Sequence, residues 1–337
     1  MRASLIVMLL LAFASLLPAA KTLDIYFIDV EGGQATLLVS PSGESMLVDT
    51  GWSAHESRDA DRIAAIAKKA GVKKIDYLVI THFHEDHAGG VPQLAAKLPI
   101  RNFVDHGDSV EHGARADALF RTYASYREKG NHLKVKPGDK VPIKGLDVTV
   151  VSAGGEVLSA PLPGAGQENP ACANFRKLDE DKTENAQSTG TLISYGNFRI
   201  IDLGDLTWNK EYGLACPSNK IGTVSVYLVS HHGADISGSP ALVHGLRPEV
   251  AIMNNGARKG GTPPAWQIVR KSPGLEDIWQ LHFAVAGGKE NNAPDMFIAN
   301  TDEQCTGNWI KLSAEKDGSF TVTNSRNKYS KTYKPRS

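Results

Sequence analysis

Residues 75–80, a short and mostly apolar run fit for a buried strand, lead directly into Thr81-His82-Phe83-His84-Glu85-Asp86-His87-Ala88-Gly89-Gly90. No other stretch narrows the fold so far. It calls for a strand whose carboxyl end opens into a crowded polar turn, the place where α/β sheets gather side chains from several loops. Three of the eleven histidines fall within six residues, interleaved with a carboxylate. Packing explains such clustering poorly, because the segment is bounded by glycines and does not form an amphipathic face. In an extended loop, residues two apart point the same way, so His82 and His84 can grip one ion. The chain then turns, and Asp86 with His87 can face a second. Imidazole nitrogen and carboxylate oxygen are donors that zinc accepts, and catalytic zinc sites leave one position for water. The competing reading is a set of surface histidines with no ligand role.

Upstream, apolar runs at 23–30 and 35–39 flank Glu31-Gly32-Gly33, as in a strand, tight turn and strand, and 46–49 forms a third strand ending at Gly51. Between 57 and 70, Ile63, Ile66, Ala67 and Ala70 recur at helical spacing and Gly71 supplies a stop. Beyond the histidine-rich turn, helices are expected at 91–98 and 111–129, and strands at 100–104 and 146–152. A long loop spans 154–187, and its prolines, glycines and charges mark an irregular excursion of the kind that builds lids and binding loops. Strands resume at 191–195, 198–203, 224–229 and 250–253, and 309–323 suggests a closing hairpin across Asp317-Gly318. This order of elements fits a single α/β domain of two sheets covered by helices.

The 337 residues are 41% hydrophobic and 22% charged, which supports one large core or two modest ones and excludes disorder and pure repeats. Lys plus Arg equals Asp plus Glu at 37 each, so no long-range field draws in nucleic acid or anionic membrane. Arg2 followed by the uncharged stretch 3–20 reads as a signal peptide over 1–20, with an apolar run at 5–17 and Ala19 and Ala20 for cleavage. Residues 21–337 are then the mature domain, periplasmic or secreted, with no stable membrane span. The alternative is an uncleaved anchor, although a spanning helix wants roughly 20 apolar residues. Cys172, Cys216 and Cys305 are too few for a disulfide scaffold; in an oxidising compartment one pair can join, with Cys172–Cys216 favoured over three unpaired thiols.

His82-x-His84-x-Asp86-His87 resembles the signature of the metallo-β-lactamase superfamily, over nearly the whole mature chain. Asp29-Val30-Glu31-Gly32-Gly33-Gln34-Ala35 is similar to the "DVGQGDA" opening of the branch that includes the extracytoplasmic domain of the DNA-uptake channel ComEC, with departures at Glu31 and Thr36. The resemblance implies an αββα four-layer sandwich, two mixed sheets flanked by helices, around two divalent metal ions: zinc first, manganese or iron as alternatives. It implies Asp29 and Asp49 as supports behind the ligands, and Asp205, in a step resembling "TGD", as the carboxylate bridging both ions. In His231-His232-Gly233, resembling "HHG", His232 is the implied ligand and His231 the proton donor, an assignment that can be reversed. His106 is the candidate third ligand of the first ion, a plain loop residue being the alternative. The loop after the strand 250–253 puts Asn255, Arg258 and Lys259 forward as a substrate clamp or as a solvated rim; His282 is equally undecided. His55, His112, His132 and His244 carry no motif.

Metal-activated water attacking a bond is the implied chemistry, with Asp86 orienting the nucleophile and His231 protonating the leaving group. A bridging Asp205 turns the resemblance away from β-lactam hydrolysis toward phosphodiesters, lactones, esters and thioesters. A phosphodiester in a small molecule or an envelope component leads, with nucleic acid disfavoured by the neutral charge. Lactone, ester or thioester hydrolysis is the alternative on the same site, iron-based oxidation a further one, and a degenerate polymer-binding module the alternative from another class.

Overall fold

The computed structural model describes residues 22–336, and the expected leader at 1–20 lies outside the described residues. Two nine-stranded sheets face each other. The first holds β1 (Leu23–Phe27), β2 (Thr36–Val39), β3 (Ser45–Val48), β4 (Ile75–Val79), β5 (Ile100–Asp105) and β6 (Asn131–Lys134). The second holds β7 (Lys140–Val141), β8 (Asp147–Ala153), β9 (Glu156–Val157), β10 (Gly190–Tyr195), β11 (Phe198–Asp202), β12 (Val226–Leu228), β13 (Val250–Met253), β14 (Asp277–His282) and β15 (Ile298–Asn300). The tail then returns to the first sheet as β16 (Ile310–Ala314), β17 (Phe320–Asn324) and β18 (Ser330–Tyr333), with β16 lying antiparallel to β1 in the register Leu23↔Ala314. Both sheets are mixed: β1 and β2 pair antiparallel, β3 to β6 parallel, and β11 to β15 parallel.

Alternation along the strands sorts the core into layers. Ile25, Phe27, Met46 and Val48 point at the second sheet and meet Val148, Val150, Ile193 and Ile200 there, while Tyr26, Ile28, Leu37 and Leu47 point outward. That outer face is covered by Ile63, Ile66 and Ala67 of α1 (Arg58–Lys69), by α3 (Val91–Ala95), which follows the single-turn α2 (Glu85–Ala88), and by Tyr123 of α4 (Ala114–Arg127). On the other side α5 (Trp208–Ala215), α6 (Pro240–Leu246) and α7 (Pro263–Arg270) bury Leu214, Leu242, Leu246, Trp266 and Val269 against the second sheet. The result is an α/β sandwich of two mixed sheets flanked by helices.

Three local expectations are corrected. The β1–β2 link is no tight turn: β1 stops at Phe27, and residues 28–35 fold into a longer loop, closed by Ile28 N donating to Ala35 O, in which Glu31 takes φ 55°. Gly33 is required there because a Cβ would stand 2.5 Å from Asp86 O, so close is the loop to the histidine-rich turn. Helix α4 begins at Ala114 rather than at Glu111, because the Glu111 side chain is drawn away to His84. The tail is a three-stranded meander rather than a hairpin alone. In the excursion 154–189 only β9 and two short 3-10 turns, Pro170–Asn174 and Glu184–Gln187, are regular. Cys172 within it is bonded to Cys216 at the end of α5, with Cα atoms 5.7 Å apart, and Cys305 stays a free thiol.

Candidate metal centre

The turn after β4 is held from every side. Asp49, following β3, accepts from Thr81 N (2.8 Å) and Thr81 Oγ1 (2.7 Å) and stands 2.7 Å from His87 Nδ1. Thr50 N donates to His87 O and Gln34 N to Asp86 O. His87 is thereby fixed by one nitrogen while Nε2 points into the centre, the usual way a ligating imidazole is oriented. His82 Nε2 lies 3.0 Å from His84 Nδ1, and the other nitrogen of His84 lies 3.0 Å from Glu111 Oε1.

The second sheet supplies the remaining donors. Asp205 follows β11, with its amide on Ser188 Oγ at 3.2 Å. Beyond β12 the chain turns through Ser230–Gly233 with His231 and His232 both at left-handed φ, 53° and 55°. This kink points His232 Nε2 at His87 Nε2 (3.2 Å), Asp86 Oδ2 (3.3 Å) and Asp205 Oδ1 (3.5 Å). His231 Nε2 lies 3.2 Å from Asp205 Oδ2, with Nδ1 3.3 Å from Ser237 Oγ.

Asp86, His87, Asp205 and His232 therefore form one buried group whose donor atoms all lie within 4.8 Å of one another. Asp205 also reaches toward His82, at 3.9 Å, which joins the His82–His84 pair to the group. Burial alone pushes both carboxyls up, yet the surrounding imidazoles and, for Asp86, the Lys259 ammonium outweigh it and hold Asp86 and Asp205 well below the usual carboxylate range. Burial likewise opposes a charge on His87, but Asp205, Asp86 and Asp49 drive it well above its ordinary value. Two anions facing imidazole nitrogens, with Asp205 Oδ1 buried and without a hydrogen-bond partner, fit a divalent cation by the chemistry of the donors.

Not every expected residue comes to this place. His106 Nε2 lies 3.0 Å from Glu184 Oε2, so that nitrogen is engaged away from the cluster. Asp29 contacts His282, Arg62 and Cys305 and makes no hydrogen bond to any of the expected ligands, so it stands apart from the centre it was expected to support. Asn255 is fully buried, donating to Gly256 O and His282 O, and Arg258 pairs with Glu303 out in solvent, so in this structure both are engaged away from the centre. Lys259 does reach the centre: its Nζ contacts Asp86 Oδ2 and lies 4.8 Å from the middle of the Trp52 ring. A cleft of about 550 Å³ opens beside it, lined by Trp52, His84, Asp86, Glu111, Arg115 and Leu119.

Glu184 and Glu111 were missed by the sequence reading. Glu184 accepts from Phe83 N (3.0 Å) and Val110 N (2.7 Å) besides contacting His106, and its own amide donates to Glu111 Oε1. Burial raises its carboxyl, but those donors prevail and keep it below its ordinary value. Glu184 follows Phe83 by 101 positions, and no local pattern announces such a contact.

Residues 28–167 match the family model described as the metallo-beta-lactamase superfamily, and the chain carries a domain of that superfamily. Among curated proteins, Recombination protein 2 of Haemophilus influenzae is 24% identical over 250 residues, covering 72% of this chain and 26% of that protein. Hydroxyacylglutathione hydrolase of Stenotrophomonas maltophilia is 35% identical over 63 residues, covering 19% of this chain and 21% of that one. The chain thus matches about a quarter of the length of each relative. Of solved structures, the metallo-beta-lactamase fold protein YhfI of Bacillus subtilis is similar at 10% identity and a TM-score of 0.47, covering 76% of this chain and 95% of that one. A metallo hydrolase of Ignicoccus hospitalis is similar at 17% identity and 0.43, covering 76% and 94%.

Proposed function

We propose that this protein is an exported dinuclear-metal hydrolase acting on a small phosphodiester. The observation that carries the reading is the meeting of Asp86, His87, Asp205 and His232 within 4.8 Å, with His82 Nε2 3.9 Å from Asp205 Oδ2 and His84 beside His82. In this reading His82 and His84 would hold one ion and Asp86, His87 and His232 the other, with Asp205 a further donor to the pair. When bound, such ions lower the pKa of water to about 7 and draw electron density from the bond under attack.

The chain's own groups do the rest. Asp86 accepts a hydrogen bond from the attacking water and aims it. His231, braced at Nδ1 by Ser237, delivers a proton from Nε2 to the leaving oxygen. Lys259 offers a compact point charge to an anionic oxygen beside the flat face of Trp52. Glu111 at the rim disfavours a polyanion, and the charges of Arg115 and Glu85 there offset each other. A small substrate with one negative charge suits this mouth better than a nucleic acid strand. Export is supported by the Cys172–Cys216 disulfide, and among the described residues no helix is long and apolar enough to cross a membrane.

Thioester hydrolysis on the same centre is the second reading, favoured by the 35% identity to a hydroxyacylglutathione hydrolase. Turnover of bis(p-nitrophenyl) phosphate with zinc or manganese, set beside a lactone and a thioester, separates the two. Phosphodiester turnover that vanishes in Asp205→Ala is the expected result. Turnover no better than that of Asp205→Ala overturns the hydrolase, and thioester turnover with a silent phosphodiester overturns the substrate class.

A further inference from the structure

The segment 254–261, which brings Lys259 to Asp86, rests on a second group of donors. Asp29, His282 and Cys305 bring a carboxylate, an imidazole and a thiol within 4.8 Å of one another. We propose that these three residues hold an additional divalent metal ion, zinc by donor type, with Glu31 as a fourth donor, and that this ion fastens the support beneath the segment. The inference does not rest on the hydrolytic reading.

The donors come from three distant parts of the chain: the end of β1, the end of β14 and the segment 301–309. Asp29 Oδ1 is 2.7 Å from His282 Nε2, Asp29 Oδ2 is 3.0 Å from Cys305 Sγ, and Glu31 Oε1 is 3.5 Å from the same sulfur. Ligand atoms around a tetrahedral zinc lie roughly 3.3–3.7 Å apart, as follows from zinc distances of about 2.0–2.3 Å. The two Asp29 contacts thus need to open by well under about 1 Å, and the three donors already lie within 4.8 Å of one another.

Charge balance agrees. Arg62 flanks the group, with Nη1 on Asp29 Oδ2 at 3.0 Å and Nη2 3.2 Å from Glu31 Oε1, while Arg58 bridges Glu31 Oε2 and Asp59 Oδ1 at 2.7 Å each. An ion of charge two together with Arg62 and Arg58 matches Asp29, Glu31, Asp59 and a Cys305 thiolate. The thiol proton, now donated toward Asp29, is released to solvent as the metal–sulfur bond forms, and no electron changes hands.

The position explains what the ion is for. Asn255 Nδ2 donates to His282 O at 2.9 Å, and Arg258 pairs with Glu303, two residues before Cys305. An ion at Asp29, His282 and Cys305 therefore ties the base of the Lys259-bearing segment to the β1 loop and to 301–309.

Because Cys172 and Cys216 are joined, Cys305 is the sole free thiol, and that makes the test specific. The mature oxidised protein is stripped with a chelator, without reductant, and titrated with cobalt(II). Expected is a thiolate-to-cobalt charge-transfer band in the near ultraviolet, absent in Cys305→Ser, together with one metal equivalent fewer per chain in that variant by elemental analysis. The cluster around Asp205 contains no sulfur and cannot give this band. No band at saturating cobalt, or equal metal content in the two proteins, overturns the proposal and leaves a plain hydrogen-bonded network. Should Cys305→Ser fail to fold, His282→Gln read for band intensity and metal content decides in the same way.

Discussion

Turns 81–90 and 230–234 deliver donor side chains to one cluster under different internal tension. The first continues a strand, has no left-handed residue of its own, and is tied at Thr81, Phe83, Asp86 and His87 by Asp49, Glu184, Gln34 and Thr50. The second places two histidines in succession at left-handed φ before Gly233, a conformation costing on the order of 1–3 kcal/mol for each non-glycine residue. It persists because its surroundings insist: His231 N donates to Gly204 O, Gly261 N to His232 O and Thr262 N to Gly233 O. Glu211, buried behind it, takes Gly238 N and Ser239 N at 2.7 Å each and so sets the loop carrying Ser237. One turn is encoded locally, and the other is imposed by tertiary contacts.

The sharpest cut is at the residue both turns touch. Asp205→Ala is expected to lower kcat/KM on the responsive substrate by about 10³-fold or more, measured under metal saturation. If only one turn mattered to the chemistry, the loss would be far smaller. Next in size is Glu184→Ala, which strands Phe83 N, Val110 N and His106; urea unfolding should show about 4 kcal/mol less stability, the scale of a broken buried pair. A loss under about 1 kcal/mol would mean that the first turn stands without Glu184.

Asp202 links the two turns, accepting from Gln34 Nε2 at 2.8 Å and from Gly204 N at 3.0 Å, and burial lifts its carboxyl to about 6 from 3.8. The folded protein keeps a proton that the unfolded chain gives up near pH 4, so stability present at low pH is lost as pH climbs through about 6. Between pH 4 and 7 the wild type should therefore fall relative to Asp202→Asn by up to about 3 kcal/mol. Parallel stability curves would show that Asp202 is not shifted. The smallest effect belongs to the strain itself: Asn tolerates left-handed φ, so His231→Asn should gain about 1 kcal/mol in unfolding free energy while activity drops. His84→Asn, at an extended φ of −91°, should gain nothing.

What could be read in advance follows the same division. Apolar runs such as 75–80 and 250–253 marked buried strands because both faces are covered, and the clustered histidines and aspartate of the first turn stood out by spacing. In the second turn the residues could be read but the backbone could not, since nothing local says which of two adjacent histidines a left-handed bend will aim inward. Asn255 and Arg258 turn to Gly256, His282 and Glu303, which polarity alone does not foretell: it shows that a loop is polar, not which way a side chain turns. Helices α6 and α7 were passed over although Ser239-Pro240 and Thr262-Pro263 carry the cap-and-proline start, with Ser239 and Thr262 each accepting a backbone amide. Glu184, Gln34 and Asp202 act across 101 and 168 positions, beyond any local pattern.

Where the loop around Gly33 passes the histidine-rich turn, backbone meets backbone, and the same holds nearby: a Cβ on Gly256 would stand 2.8 Å from Glu31 O, and one on Gly260 would stand 2.1 Å from His232 O. Side chains can flex to let layers slide, but apposed peptide planes cannot. The Gly256–Glu31 approach in effect welds the two sheets at this point, so the cleft beside the cluster opens on the flank of α4, where His84, Glu111, Arg115 and Leu119 line it with side chains.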